Sequence, residues 1–290
     1  MFLPMRFFII LFTLILPTLL LFSGCKSSDD KNRLIVFHAG SLTVPVKEII
    51  AKFNEEHPDV KVLSEAAGSV ASARKITDLK RSCDVFLSAD YNVINNFLIP
   101  EYASWNIHFA TNEMVIAYHD QSARGHEINN ANWMEILMDD KVRYGRSDPD
   151  SDPCGYRTLL SIQLAERFYQ NNGLLERLVQ KDTRYIRPKE TDLIALMETN
   201  TVDYIFIYRS VAVQHKFRYL QLSDSVNLKS PDLSHWYKNA SVEINGKKPG
   251  EKILQLGEPM IYGLTIPKNA DNPELALVFI EFLLSPDKGM

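Results

Sequence analysis

Leu34-Ile-Val-Phe37, Val60-Lys-Val-Leu63 and Asp84-Val-Phe-Leu87 are three short apolar runs, and the residues between them decide the fold. From Val44 to Glu56 the residues Val46, Ile49, Ile50 and Phe53 fall at i, i+3, i+4 and i+7, one face of a helix, and His57-Pro58 stops the pattern. Ser69 to Leu79 reads as a second helix. Strands alternating with helices at this spacing predict βα units, hence a parallel sheet covered by helices.

The alternation continues. A strand is expected at Met114-Val-Ile-Ala-Tyr118, a helix over Asn132–Met138, a strand at Val142-Arg-Tyr144, and a Pro- and Asp-rich loop from Ser147 to Pro153. Helices over Gly155–Tyr169 and Thr191–Glu198, a strand Asp203–Ile207, a strand Met260–Ile266 and a helix Pro273–Leu284 complete the pattern. The chain is thus expected to leave one α/β lobe near Asn112 and return near Ile266. Residues 33–112 and 265–290 would form the first lobe and 113–264 the second. Two α/β lobes joined by two crossing strands make a hinged clamp with its ligand in the cleft.

Ahead of the clamp, Arg6 is followed by sixteen uncharged residues, Phe7 to Phe22, and then Ser23-Gly24-Cys25. That run is shorter than the roughly 18 to 20 apolar residues of a membrane span, and its layout is that of an export leader, residues 1–24. The alternative is a retained anchor helix with an incidental cysteine. Leu21-Phe-Ser-Gly-Cys25 resembles a bacterial lipidation motif, which makes Cys25 the lipidated first residue and the polar stretch 25–32 a tether. The protein is expected outside the cytoplasm, held to the membrane by lipid on Cys25.

Removing the leader takes only Arg6 from the 32 basic side chains, leaving 31 against 36 acidic ones. A mildly acidic surface gives nucleic acid no basic patch to bind. With Cys25 lipidated, Cys83 and Cys154 remain, too few for a disulfide framework or a Cys-rich zinc site. Both are expected as free thiols, because a bond between the two lobes would impede closure.

Ligands of open α/β sheets bind at the carboxyl ends of the strands. Gly40-Ser41-Leu42 and Ala66-Ala-Gly-Ser69 each follow a strand and open a helix, which offers backbone N–H groups, a hydroxyl and the positive end of the helix dipole to an anion. Ordinary helix caps are the competing reading. In the second lobe Ser151-Asp-Pro-Cys-Gly-Tyr-Arg157 and Pro188-Lys-Glu-Thr191 read as further helix starts, and Tyr208-Arg209 ends a strand. His38 and the three tryptophans Trp105, Trp133 and Trp236 are read as packing residues.

A family likeness runs from about Leu34 to Pro286. Val36-Phe-His-Ala-Gly-Ser-Leu42, Glu65-Ala-Ala-Gly-Ser-Val70, Ser88-Ala-Asp-Tyr91, Ile99-Pro-Glu-Tyr-Ala103, Phe109-Ala-Thr-Asn-Glu113, Asp152-Pro-Cys-Gly-Tyr-Arg157, Arg187-Pro-Lys-Glu-Thr191 and Ser210-Val-Ala-Val-Gln-His215 resemble, in order, the archaeal-type molybdate/tungstate-binding proteins of ABC importers. The resemblance implies a type II periplasmic-binding-protein fold, an α/β architecture of two lobes, with molybdate or tungstate as ligand, an ABC permease as partner, a monomer, and neither enzyme activity nor a cofactor. It carries the anion-binding role to Gly40, Ser41, Ser69, Asp152, Pro153, Cys154, Glu190 and Tyr208, the last two standing eighteen residues apart as in the wider family. Asp152 and Glu190 are implied as oxygen donors to the metal at the centre of the anion. Between the Asp152 turn and Glu190 the chain is shorter than archaeal-type members, a difference expected in an outer loop, and family members continue past the position of Met290. Three other functions are weighed against this one: sulfate or another oxyanion as ligand, a serine hydrolase using Ser41 or Ser69, and a binding-only sensor or adhesin. No Gly-x-Ser-x-Gly elbow supports the hydrolase.

Overall fold

A computed structural model describes residues 32–289; the expected export leader, Cys25 and the expected tether up to residue 31 lie outside the described residues. The first lobe opens with β1 (Arg33–Ala39), a 3-10 turn (Gly40–Leu42), α1 (Thr43–Glu56), β2 (Lys61–Ala67), α2 (Ser69–Thr77), β3 (Val85–Ser88), α3 (Tyr91–Val93) with a wider turn through Leu98, and β4 (Ile107–Thr111). The second lobe holds β5 (Met114–Tyr118), α4 (Trp133–Met138), β6 (Tyr144–Ser147), α5 (Pro153–Phe168), α6 (Leu174–Gln180), β7 (Ile186–Arg187), α7 (Glu190–Glu198), β8 (Tyr204–Tyr208), α8 (Arg209–Gln214), β9 (Arg218–Gln221), α9 (Ser234–Tyr237) and the hairpin β10 (Ser241–Asn245) to β11 (Lys252–Leu256). β12 (Ile261–Thr265) and α10 (Pro273–Leu284) follow.

The two main sheets are mixed rather than parallel, with strand orders β2-β1-β3-β12-β4 and β7-β6-β8-β5-β9. β1 runs parallel to β2 and β3, as the βα alternation requires, but β12 enters antiparallel to both β3 and β4. In the second sheet β5 is antiparallel to β8, pairing Met114 with Tyr208, and β6 is parallel to β8. The strands that run against their neighbours, β12 in the first sheet and β5 in the second, are those next to the crossings between lobes. The strand expected at Met260–Ile266 therefore lies wholly in the first sheet. The return to the first lobe comes ahead of Ile261, not at residue 265.

Burial explains where each pattern was readable. β5 and β8 are buried along their whole length and appear as unbroken apolar runs, as strands covered on both faces do. β2 is an edge strand, largely exposed at its first residues, so its polar extension Ser64–Ala67 lies beyond the apolar run. β6 sits two residues later than the sequence pattern suggested, because Gly145, Arg146 and Ser147 are polar or small yet buried. α1 presses Val46 and Phe53 into the core. Phe53 meets Phe279 and Phe282 of α10 edge-on, with ring centroids 5.1 and 5.3 Å apart, which returns the C-terminal helix to the first lobe.

Candidate functional site

Five strand-to-helix turns converge between the lobes. In the first lobe β1 runs into Gly40-Ser41, and Gly40 lies so close to the second lobe that a Cβ there would stand 3.1 Å from Thr191 Cγ2 and 3.2 Å from Glu190 Oε1. A larger residue there would make the Thr191 and Glu190 side chains give way by a few tenths of an ångström. Ser41 is buried, and its Oγ accepts a hydrogen bond from the Tyr262 hydroxyl at 3.0 Å. That hydroxyl also accepts one from Asn112 Nδ2 at 2.9 Å, at the crossing from β4 to β5. The second turn brings Gly68 against the opposite lobe, where a Cβ would be 2.3 Å from the Ser151 carbonyl oxygen, and Ala71 N donates to that same oxygen at 3.1 Å. Ser69 opens α2 with its Oγ turned to accept from Ala89 N at 3.0 Å. It is a cross-brace to the end of β3, not the side-chain cap of its own helix.

In the second lobe Asp152 is the N-cap of α5, with Pro153 in the first turn. Its Oδ1 accepts from Cys154 N at 3.2 Å and its Oδ2 from Glu190 N at 2.8 Å, so one carboxylate serves two helix starts. Glu190 begins α7 and is 1% exposed, and its Oε2 has no hydrogen-bond partner among the described residues. Cys154 Sγ points at the Phe206 carbonyl, 3.6 Å away, and Tyr208 ends β8 fully buried, its hydroxyl accepting from Arg157 Nη1 at 3.2 Å.

The electrostatics of the pair are unusual. Burial pushes the Asp152 carboxyl up to about 6, against the pull of the two N–H groups it accepts. Glu190 is held well above the ordinary carboxylate range, first by burial and then by the charge of Asp152. Burial likewise keeps Cys154 a thiol and Tyr208 a phenol. Among the described residues no group of three or more His, Cys, Asp or Glu side chains gathers as a cation site, so Asp152 and Glu190 stand as a pair.

The turns singled out from the sequence come close together between the lobes: Gly40 lies beside Glu190, Gly68 beside Ser151 and Asp152, and Asp152 accepts from Glu190 N. Sequence reasoning missed Tyr262, Asp90 and Arg157. Tyr262 carries no motif, since it lies on a return strand distant in sequence from the turns it supports. Arg157 lies within a recognised motif but has no role there until the fold sets it beside Asp90. His38 is buried, with Nδ1 2.9 Å from the Ala39 carbonyl, and burial lowers its pKa so that it stays neutral. Cys83 and Cys154 are both free and buried.

Two α/β lobes closing on a set of strand-end turns define a solute-binding clamp. The chain belongs to the bacterial extracellular solute-binding protein family, whose profile matches residues 34–288. Over 97% of its length it is 47% identical to an uncharacterized solute-binding protein of Petrotoga mobilis, covering 86% of that protein. It is 38% identical to the molybdate/tungstate-binding protein WtpA of Pyrococcus abyssi, with 94% of this chain and 88% of that one aligned. Among solved structures the periplasmic molybdate-binding protein of Azotobacter vinelandii superposes with a TM-score of 0.64 at 15% identity, covering 88% of this chain and 94% of the other. That likeness fixes the fold as the type II periplasmic-binding-protein architecture. No helix among the described residues is long and apolar enough to cross a membrane.

Proposed function

We propose that the clamp captures molybdate or tungstate outside the cytoplasm and delivers it to an ABC permease. The observation that carries this reading is the Asp152–Glu190 pair. Two buried carboxyls, one of them with an unpartnered oxygen, would repel a simple dianion once they are ionised. They make a good receptacle for an anion with a hard, high-valent metal at its centre, because such a metal takes additional oxygen donors. Gly40, Ser41 and Ser69 supply the opposite wall with N–H groups and hydroxyls for the anion's own oxygens, and Tyr208 and the turn of Pro153 and Cys154 complete the second-lobe side. The relatives named for molybdate and tungstate support the same choice of ligand.

Sulfate is the rival ligand. It cannot expand its shell toward carboxylate donors, so the pair selects against it. A hydrolase is disfavoured by the two serines themselves: Ser41 Oγ meets a tyrosine hydroxyl and Ser69 Oγ a backbone N–H, and no described hydrogen bond joins either to a histidine. The lipid on Cys25 would keep the clamp beside its permease, with the protein acting as a monomer. Competitive calorimetric titration with molybdate, tungstate and sulfate tests the reading. Binding of molybdate and tungstate well ahead of sulfate is expected, and sulfate binding as tightly as molybdate would sink it. Stimulation of permease ATPase separates a transporter from a sensor. Loss of fatty-acid labelling in Cys25→Ser tests the anchor.

A further inference from the structure

Arg157, in the second turn of α5, reaches across the cleft. Its Nη1 donates to the Ala89 carbonyl in the first lobe at 2.6 Å and to the Tyr208 hydroxyl in the second at 3.2 Å. Its Nη2 lies 3.1 Å from Asp90 Oδ2, which also accepts from the Tyr156 hydroxyl at 2.7 Å. Both ion-pair side chains are only 4% exposed. On the first-lobe side, Ala89 N donates to Ser69 Oγ, and Asp90 Oδ1 caps Asn92 N at 2.9 Å. A single guanidinium and one residue of backbone therefore connect Ser69 with Tyr208, two proposed ligand residues on opposite lobes.

We propose that Arg157 and Asp90 form a closure latch, a pair of positioning residues that joins the lobes when the anion is held and slows its release. This rests on the clamp reading but not on which oxyanion fills it. The pairing crosses from one lobe to the other, so separating the lobes breaks it and returns both groups to water. A buried ion pair yields little net stability because desolvation offsets the attraction, unless its geometry and hydrogen bonds are complete. Here they are complete only when Ala89 and Tyr208 stand where the guanidinium meets both, and a ligand gripped by Ser69 and Tyr208 sets those two ends. The latch thus favours closure in an empty clamp and does so more strongly in a filled one. Arg157 also contributes a buried positive charge that favours the ionised forms of Asp152, Tyr208 and Tyr262.

Stopped-flow kinetics with molybdate, on the whole protein and the variants Asp90→Asn, Arg157→Lys and both together, test the latch. Asn at position 90 can still cap Asn92 N through its one oxygen, and its Nδ2 can donate to the Tyr156 hydroxyl, while the charge facing Arg157 is lost. Each single variant is expected to release molybdate about tenfold faster or more, with association changed by less than about twofold. The double variant should release it no faster than the worse single one, because partners in one interaction do not add. Unchanged release in Asp90→Asn, a purely associative defect, or independent multiplication of the two effects would each overturn the latch. If Arg157→Lys does not fold, Asp90→Asn decides alone. Should the wild type bind no oxyanion at all, the functional reading falls instead. The latch is then judged by small-angle scattering of the unliganded proteins, where it requires Asp90→Asn to be more open than wild type and is refuted if the two match.

Discussion

Glu113 and Glu190 are both buried glutamates of the second lobe, at 3% and 1% exposure, in opposite surroundings. Glu113 sits at the hinge with its oxygens fully engaged: Arg209 Nη1 donates to Oε1 at 3.3 Å, while Gln221 Nε2 and Asn227 Nδ2 each donate to Oε2 at 3.2 Å. Glu190 has an unpartnered oxygen and a second acid, Asp152, as its close neighbour. A protein interior tolerates a carboxylate that is hydrogen-bonded and paired, and is destabilised by one that is not. Glu113 therefore belongs to the architecture. On the proposed reading Glu190 serves the ligand, whose central atom would supply the partner that the protein withholds.

The largest effect that would break this contrast is on binding. Replacing both Asp152 and Glu190 by Ala should weaken molybdate on the order of a thousandfold, two charge-assisted contacts at about 1.5 to 3 kcal/mol each, while changing sulfate far less. Calorimetric titration measures both. An unchanged ratio of molybdate to sulfate affinity would mean that the carboxyls do not recognise the metal centre. The converse substitution is Glu113→Ala. It should destabilise folding by about 2 kcal/mol, read by chemical denaturation, and leave the ratio of molybdate to sulfate affinity where it was.

A pH experiment examines the same contrast through stability. Asp152 and Glu190 titrate above their unfolded values of 3.8 and 4.5. The folded state therefore holds protons that the unfolded chain has lost, and this contribution is full below about pH 4 and falls as pH rises through about 6 for Asp152 and through the raised range of Glu190. Glu190→Gln should melt at a higher temperature than wild type at neutral pH in the absence of ligand, with the advantage shrinking as the pH is lowered toward 4. Melting curves of the two proteins across that range check it, and an advantage that grows on acidification would reverse the assignment. The gain in stability should come with weaker ligand binding, the usual exchange at a site built for function.

The fold was legible wherever burial was continuous or periodic. β5, β8 and the apolar face of α1 announce themselves, and the helix Pro273–Leu284 falls where the pattern puts it. The hairpin of β10 and β11 was not, because Leu254 is 59% exposed and each strand buries a single residue, Ile244 and Gln255. Its place is set by contacts that only the fold creates, such as Arg74 Nη2 donating to the Asn245 and Gly246 carbonyls across the lobes. At the site, each turn announced itself through a local cap or glycine. What the sequence could not convey was convergence: that Asp152 Oδ2 reaches Glu190 N thirty-eight residues on, or that Tyr262 rests on Ser41.

The smallest expected effect sharpens the contrast from the opposite side, at the lobe surface. Glu65, on the edge strand β2, is gripped by both terminal nitrogens of Arg81 at 3.0 and 2.6 Å and by Lys75 at 2.5 Å. The hydrogen bonds from Arg81 come first among the causes that hold its carboxyl down at about 2. Its folded pKa thus lies below the unfolded value of 4.5, so its contribution is present above about pH 4.5 and is lost as pH falls toward 2, the reverse of Glu190. The side chain is 36% exposed and Arg81 45%, so solvent screening leaves less than about 1 kcal/mol at stake. Glu65→Gln should lower the melting temperature slightly at neutral pH, and less so in high salt or below pH 3. Of the two Glu-to-Gln changes, one should stabilise the unliganded protein at neutral pH and the other weaken it. A common sign for both would show that burial without a cation is not what distinguishes the cleft acids.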